Sequence, residues 1–303
     1  MRTKGQKLKS PHLYFALLFL SSLSVADLNS AIANTTSVEL RTRSQSPVAR
    51  DDQSPANEIV SYRAIYRMKL SKGVEQSDLV TANGVMSYSF QDQCDGWSSE
   101  TSVLLNLGYS DGRSTLMNWT YADWETKNGL KYHFKGVQKQ DDKIVEVIDG
   151  LVNRSSVNKP TFVEFNSPKD QNVLLPAGTL FPTRFMLDVF AAFGKGVNIY
   201  RNTVFDGAGL QNPYEVNAFF VPAKFLSKRP KLSNRTNTME LTKVKYPVQL
   251  AYFPKNSFSA LPEYELTIDF QSNGVARYMR QDFGGFSLDL TPDRVEILSS
   301  TDC

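Results

Sequence analysis

The chain of 303 residues holds two cysteines and two histidines, and it has no apolar run long enough to cross a bilayer as a helix. Each shortage excludes something. With so few His and Cys, a metal centre built from those ligands lacks material, and the absence of Cys-x-x-Cys removes the usual redox motif. His12 falls in an N-terminal leader, which leaves His133 for any Ser/His/Asp or Cys/His site. His133 lies between Tyr132 and Phe134 and shares its side of an alternating pattern with Lys131 and Lys135, so it is aimed at solvent. Also missing is any Lys/Arg run with interleaved aromatics, the footprint of nucleic-acid binding. The excess of 34 Lys and Arg over 31 Asp and Glu belongs to the leader, because residues 1–33 carry four of the bases and one of the acids. The remainder is balanced at 30 of each. Its densest basic stretch, Lys224 to Arg235, is interrupted by Pro230 and reads as a solvated loop.

What is present begins with that leader. Arg2, Lys4, Lys7 and Lys9 form a basic start, Leu13 to Val25 is mostly apolar, and small-residue cleavage patterns follow at Ser24-Val25-Ala26 and Ala31-Ile32-Ala33. The apolar run of about thirteen residues falls short of the roughly 20 that span a bilayer, so residues 1–33 read as a signal peptide cleaved after Ala33. No cysteine follows it to carry a lipid. The mature chain is expected to have no transmembrane segment and to be exported to an oxidising compartment. Residues 34–57 are polar, almost without large apolar side chains, and read as a disordered linker. Residues 58–303, dense in Tyr and Phe, read as a single folded domain.

The dominant period in that domain is two. Tyr62, Ala64, Tyr66, Met68 and Leu70 alternate with polar neighbours, as do Met86, Tyr88 and Phe90, and Tyr264, Leu266, Ile268 and Phe270. Such alternation marks half-buried antiparallel strands. Asn83-Gly84, Asp111-Gly112, Asn128-Gly129 and Asn273-Gly274 supply hairpin signals, since Asn/Asp-Gly readily takes positive φ. With further runs, including Trp119 to Thr126, Tyr132 to Val137 and Pro247 to Phe253, the expectation is a long antiparallel meander of about a dozen strands or more. One segment departs from it. Pro182 to Phe193 carries Phe185, Met186, Leu187, Val189, Phe190 and Phe193, opens on a proline and is followed by Gly194, so it reads as a helix with most of its circumference buried.

Chemistry is sparsely marked. Asp141-Asp142 looks like a hairpin end, and Asp206-Gly207-Ala208-Gly209 like a turn without the ligands of a calcium loop. No catalytic, cofactor-binding or metal-binding residue is assigned. Cys94, in the turn Gln91 to Trp97, and the C-terminal Cys303 are the residues singled out. A bridge between them would close a loop of about 210 residues, worth on the order of 5 kcal/mol in the chain-entropy model. Two free thiols or an intermolecular bridge are the alternatives.

Several motifs together carry a resemblance. Tyr62-Arg63-Ala64-Ile65-Tyr66, Tyr88-Ser89-Phe90, Cys94-Asp95-Gly96-Trp97 and Leu175 to Thr183 are followed by Tyr246-Pro247-Val248, Pro262-Glu263-Tyr264, Asp282 to Phe286 and the closing Asp302-Cys303. In this order they are similar to the EipB-like cell envelope integrity proteins of alphaproteobacteria. The resemblance implies a mainly β fold, a spiral or broken barrel wrapped around one buried helix, a disulfide between Cys94 and Cys303, and residence in the periplasm. It also implies a role in envelope integrity and stress resistance, without a cofactor and without an assigned enzymatic activity. The long polar segment 34–57 and the basic stretch Lys224 to Arg235 depart from the family pattern.

Two functions are therefore carried forward. The first is a non-enzymatic periplasmic factor whose curved sheet binds an envelope partner: a protein, peptidoglycan, or a lipid held beside the helix. The second is an envelope glycan hydrolase, which would need two carboxylates converging across a cleft, roughly 5 to 10 Å apart. The expected bridge has its own test. Cys94→Ser lowers the melting temperature and the abundance of the protein while its far-UV spectrum keeps the strand signal. An unchanged melting temperature would remove the bridge from the account of stability.

Overall fold

A computed structural model describes residues 59–71, 78–210, 212–229, 244–255 and 260–299. The expected leader, the polar linker, most of the basic stretch after Arg229, and Cys303 lie outside the described residues. The first half of the chain is a meander: β1 (Tyr62–Leu70), β2 (Leu79–Asp92), β3 (Gly96–Tyr109), β4 (Ser114–Thr126), β5 (Lys131–Gln140) and β6 (Lys143–Asn153). Three short strands follow, β7 (Thr161–Phe162), β8 (Glu164–Ser167) and β9 (Leu174–Leu175), and then the helix α1 (Pro182–Gly194). The second half is a second meander: β10 (Ile199–Val204), β11 (Tyr214–Phe220), a 3₁₀ turn at Ala223–Lys228, β12 (Val244–Pro254), β13 (Tyr264–Gln271), β14 (Ala276–Asp282) and β15 (Ser287–Ile297).

Thirteen strands join one antiparallel sheet in the order β10-β11-β12-β13-β14-β15-β1-β2-β3-β4-β5-β6-β8, while β7 and β9 pair separately. β1 unites the halves, with Met68 opposite Leu290 of β15 on one side and Gly84 of β2 on the other. The sheet does not close, because β10 and β8 at its two ends are not hydrogen-bonded to each other. This is the expected broken barrel around one helix.

Strong twist brings the two ends together all the same. The segment that follows β10 lies against β5: Phe205 meets Phe134 and Tyr132 edge-on at 5.5 and 6.1 Å between ring centroids. The Tyr132 hydroxyl donates to the Asp206 carbonyl at 2.7 Å. Gly207 takes φ +65°, and a Cβ there would lie 2.3 Å from the Phe134 ring. The closure is thus made by rings and a turn instead of a strand ladder.

α1 fills the space inside. Its Phe185, Leu187, Val189, Phe190 and Phe193 are buried. Phe190 stacks on Tyr246 of β12 at 4.7 Å and meets Phe270 of β13 edge-on, and Phe193 meets Phe220 of β11. The narrow polar stripe is an Arg184–Asp188 ion pair of 2.9 Å. Pro182 occupies the first turn as expected, but Gly194 is still helical; the left-handed residue that ends the segment is Gly196, at φ +80°.

Three of the four hairpin signals are turns, with positive φ at Gly112, Gly129 and Gly274. Asn83-Gly84 is not. It lies inside β2, where Gly84 admits the Leu104 carbonyl of β3, which a Cβ would approach to 2.5 Å. Asp141 and Asp142 make the β5–β6 turn themselves, both at positive φ. The expected solvated loop at Lys224 is instead a 3₁₀ turn whose following Arg229 packs on the outer face of the sheet. Arg229 pairs with buried Asp269 at 3.1 Å and lies over the Tyr278 ring at 4.9 Å. That cover accounts for the burial of Asp269 and Tyr278 on the outer face of β13 and β14.

Gly207 and Gly112 share the left-handed conformation but differ in surroundings, since nothing lies within 4 Å of a Cβ at Gly112. Gly112→Ala is expected to cost about 1 kcal/mol of backbone strain, and Gly207→Ala about 3 kcal/mol or more once the clash with Phe134 is added. Equal losses in denaturant titration would show that the ring closure carries no stability.

Candidate functional site

The residues singled out by sequence do not assemble into one site. Cys94 is exposed in the turn between β2 and β3, and that turn is tied to the β4–β5 hairpin by the Lys127 amide donating to the Asp95 carbonyl at 2.9 Å. Cys303 lies outside the described residues. His133 is exposed and stands nearly perpendicular to the Trp124 ring, and Asp141 and Asp142 sit at an exposed hairpin tip. Among the described residues no group of three or more His, Cys, Asp or Glu is placed to hold a metal ion.

The site the fold does create is a cavity of about 210 Å³ between α1 and the inner face of the sheet. Its apolar lining includes Met86, Phe185, Met186, Phe190, Leu250, Leu266, Ile268 and Met279. The polar lining is Tyr88, Ser99, Thr101, Tyr121, Asp123, Thr183, Asp206 and Tyr252, with Tyr62 and Tyr66 adding their rings. The Tyr66 hydroxyl is already spent, donating to the Ala276 carbonyl at 2.9 Å.

β4 supplies the unusual feature of this site. Its inward residues run Met117, Trp119, Tyr121, Asp123 and Glu125, so two carboxyl groups occupy positions where alternation places apolar side chains. Asp123 Oδ1 accepts from the Ser99 hydroxyl at 2.5 Å and the Ser99 amide at 3.2 Å, and Oδ2 lies 2.9 Å from the Tyr132 hydroxyl, whose one proton is shared between this oxygen and the Asp206 carbonyl. Burial holds its carboxyl above the usual range, and these hydrogen bonds oppose the shift. Asp206 is 2% exposed and anchored locally, its Oδ1 accepting from the Ala208 amide at 3.1 Å while its own amide donates to Asn212. Burial raises it strongly, and the charge of Asp123 adds to the effect. The hydroxyls of Tyr121 and Tyr132 both donate to the Asp206 carbonyl, so one network joins β4, β5 and the segment after β10.

Glu125 has a different task. The residue that precedes α1, Phe181, has no side-chain hydrogen bond to offer the first-turn amides. Glu125 Oε2 and Oε1 accept instead from the amides of Thr183 and Arg184 at 2.8 and 3.0 Å, a helix cap supplied from a strand. Burial pushes this carboxyl up to about 8, against the pull of those amides. Nearby, buried Arg154 donates to the carbonyls of Gly129 and Thr179 and lies 4.7 Å over the Phe181 ring. Burial lowers the Arg154 guanidinium and Glu125 raises it.

Sequence reasoning missed Asp123, Glu125 and Asp206. For the first two a signal existed: acids at every second position continuing an aromatic inward face. Asp206 sits in irregular chain, where no period marks burial.

The raised carboxyl of Glu125 fixes a direction for stability. It keeps its proton up to about pH 8 in the folded state and releases it near 4.5 in the unfolded chain, so its contribution is full below 4.5 and lost as pH rises toward 8. Wild-type stability should therefore fall more steeply between pH 5 and 8 than that of Glu125→Gln, read as denaturation midpoints across that range. Asp123 and Asp206 tilt both curves in the same sense. Parallel curves would mean that Glu125 does not titrate in this window.

Comparison with known proteins agrees with this architecture. A family model described as EipB-like matches residues 53–299. The cell envelope integrity protein EipB of Brucella abortus (strain 2308) is 25% identical over 232 residues, which cover 76% of this chain and 81% of that protein. A solved structure from Brucella abortus, described as a β-barrel-like protein of the domain of unknown function DUF1849, superposes with a TM-score of 0.70 at 22% identity. It covers 80% of this chain and 99% of that one.

Proposed function

The chain belongs to the EipB-like family, and on that footing we propose that it is a non-enzymatic periplasmic factor that maintains the cell envelope by binding an apolar part of an envelope component in the cavity beneath α1. The observation that carries this reading is the cavity itself. A well-packed interior leaves few voids larger than a water molecule, and a space of about 210 Å³ that is mostly apolar with a few polar groups converging on it has the character of a small binding site. The name of the Brucella relative supports the envelope role, and the leader at residues 1–33 supports export. Of the envelope partners open at the outset, a lipid-like ligand suits an apolar wall better than a peptidoglycan strand does.

The disulfide belongs to the same reading. Ile297 of β15 and Phe90 of β2 flank Tyr62 of β1 on opposite sides. The end of β15 and the Cys94 turn thus lie two strand spacings apart, about 10 Å, at one end of the sheet. The six residues that follow Ile297 reach up to about 20 Å when extended, enough to bring Cys303 to Cys94. In the periplasm such a pair is oxidised.

A hydrolase would rest on Asp123 and Asp206. Acid and base roles need carboxyls whose affinities for protons are pushed apart, whereas burial raises both of these. Both are also engaged in hydrogen bonds within the fold, and the wall facing them, built from α1 and β12 to β14, is apolar. The binding reading accounts for these features more simply.

Depletion of the protein should reduce plating on a cell-wall antibiotic and on a bile-type detergent, with restoration by the wild-type gene. Thr101→Phe, which directs a ring into the cavity from the inward face of β3, should accumulate normally and fail to restore growth. Restoration by Thr101→Phe would separate the envelope role from the cavity; equal survival of the depleted strain would remove the envelope role.

A further inference from the structure

The cavity has two unlike walls. Strand register sets Tyr88, Thr101 and Tyr121 side by side across β2, β3 and β4, and places Ser99 beside Asp123 in the next inward row. Asp206 joins this wall through the hydroxyls that hold its carbonyl. The facing wall, built from α1 and from β12 to β14, is aliphatic and aromatic. No lysine or arginine is among the residues that line the space.

From this, and resting on the binding function proposed above, we infer that the cavity selects single-chain amphiphiles with an uncharged, hydroxyl-bearing head and turns away carboxylate, sulfate and phosphate heads. An anion entering it becomes a buried charge with no lysine or arginine on the lining to pair it, and an unpaired buried charge is costly. An ammonium head is also poorly served. Asp123 is already engaged at both oxygens, Oδ1 by the hydroxyl and amide of Ser99 and Oδ2 by Tyr132, and these contacts compete with an ammonium for the carboxyl. A hydroxyl can donate and accept in turn with the hydroxyls of Tyr88 and Thr101, which share one row of the wall.

Size sets the other limit. An apolar cavity of about 150 Å³ takes up benzene. The space here, about 210 Å³, is of the same order and somewhat larger. That is room for one short chain or one end of a longer one, and not for a pair of acyl chains.

The test is calorimetric titration of the purified protein with 1-octanol and with octanoate at pH 7.5, where the acid is ionised. The expected result is at least tenfold tighter binding of octanol, with binding of either ligand weakened by Thr101→Phe. In Asp123→Asn the preference should shrink at least threefold, because the amide N–H groups offer an anionic head donors where the carboxyl offers oxygens. Octanoate binding as tightly as octanol to the wild-type protein overturns the head-group selectivity and leaves the cavity function standing. Failure of both ligands to bind the wild-type protein, with no difference in Thr101→Phe, removes the cavity function and the selectivity with it. An unchanged ratio in a folded Asp123→Asn overturns the role given to Asp123. Should that variant not fold, the wild-type ratio alone decides.

Discussion

The contact on which the rest of this structure depends is the closure of an open sheet by aromatic side chains. Tyr132, Phe134 and Phe205, with Gly207 pressed against the Phe134 ring, join the segment after β10 to β5 without a hydrogen-bonded ladder between strands. A fully paired barrel of this many strands would have its diameter set by strand number and shear. Here the gap is spanned by rings and by two tyrosine hydroxyls on the Asp206 carbonyl. The interior therefore has room for both a helix and a cavity, and the helix is clamped at its start by Glu125, Arg154 and Phe181, close to that same seam.

The polar groups within follow from this arrangement. Burying carboxyl groups is unfavourable unless hydrogen bonds compensate, and each acid here has them: Asp123 from Ser99 and Tyr132, Asp206 from Ala208, Glu125 from the first turn of α1. Glu125 shows why an acid was kept inside a strand. α1 follows Phe181, which can offer no cap, and the strand delivers the missing acceptor. The outer face repeats the device with Arg229 on Asp269, and Arg280 with Tyr278 on Asp289. Polar pairs of this kind specify which segment lies over which strand, at small net gain in stability.

Much of the fold was legible in the chain because the alternation in β1, β2 and β13 is driven by one dry and one wet face. It became unreadable where that condition fails. β14 is covered on both sides, so Tyr278 and Met279 are buried consecutively and the period of two disappears. Asn83-Gly84 looked like a turn because the dipeptide favours one, yet the glycine is there for the close approach of the Leu104 carbonyl. The helix was visible through its apolar circumference and Pro182, whereas the group that caps it stands 58 residues away on β4. The cavity was illegible for the same reason: it is assembled from α1 and both meanders, and its acids look like ordinary polar positions until the register is known.

The pairing of β1 bears on how the molecule is made. Nearly every ladder in the large sheet joins strands adjacent in sequence, but β1 is held on one side by β15, with Tyr62 opposite Ile297. During synthesis, β1 to β6 can assemble hairpin by hairpin at low loop-closure cost, while the other edge of β1 waits for β15 to arrive. Throughout that interval β1 is an open template for pairing with another molecule. β15 is consequently the piece that ends a period of vulnerability to aggregation, and truncations within it expose the centre of the sheet and not its margin.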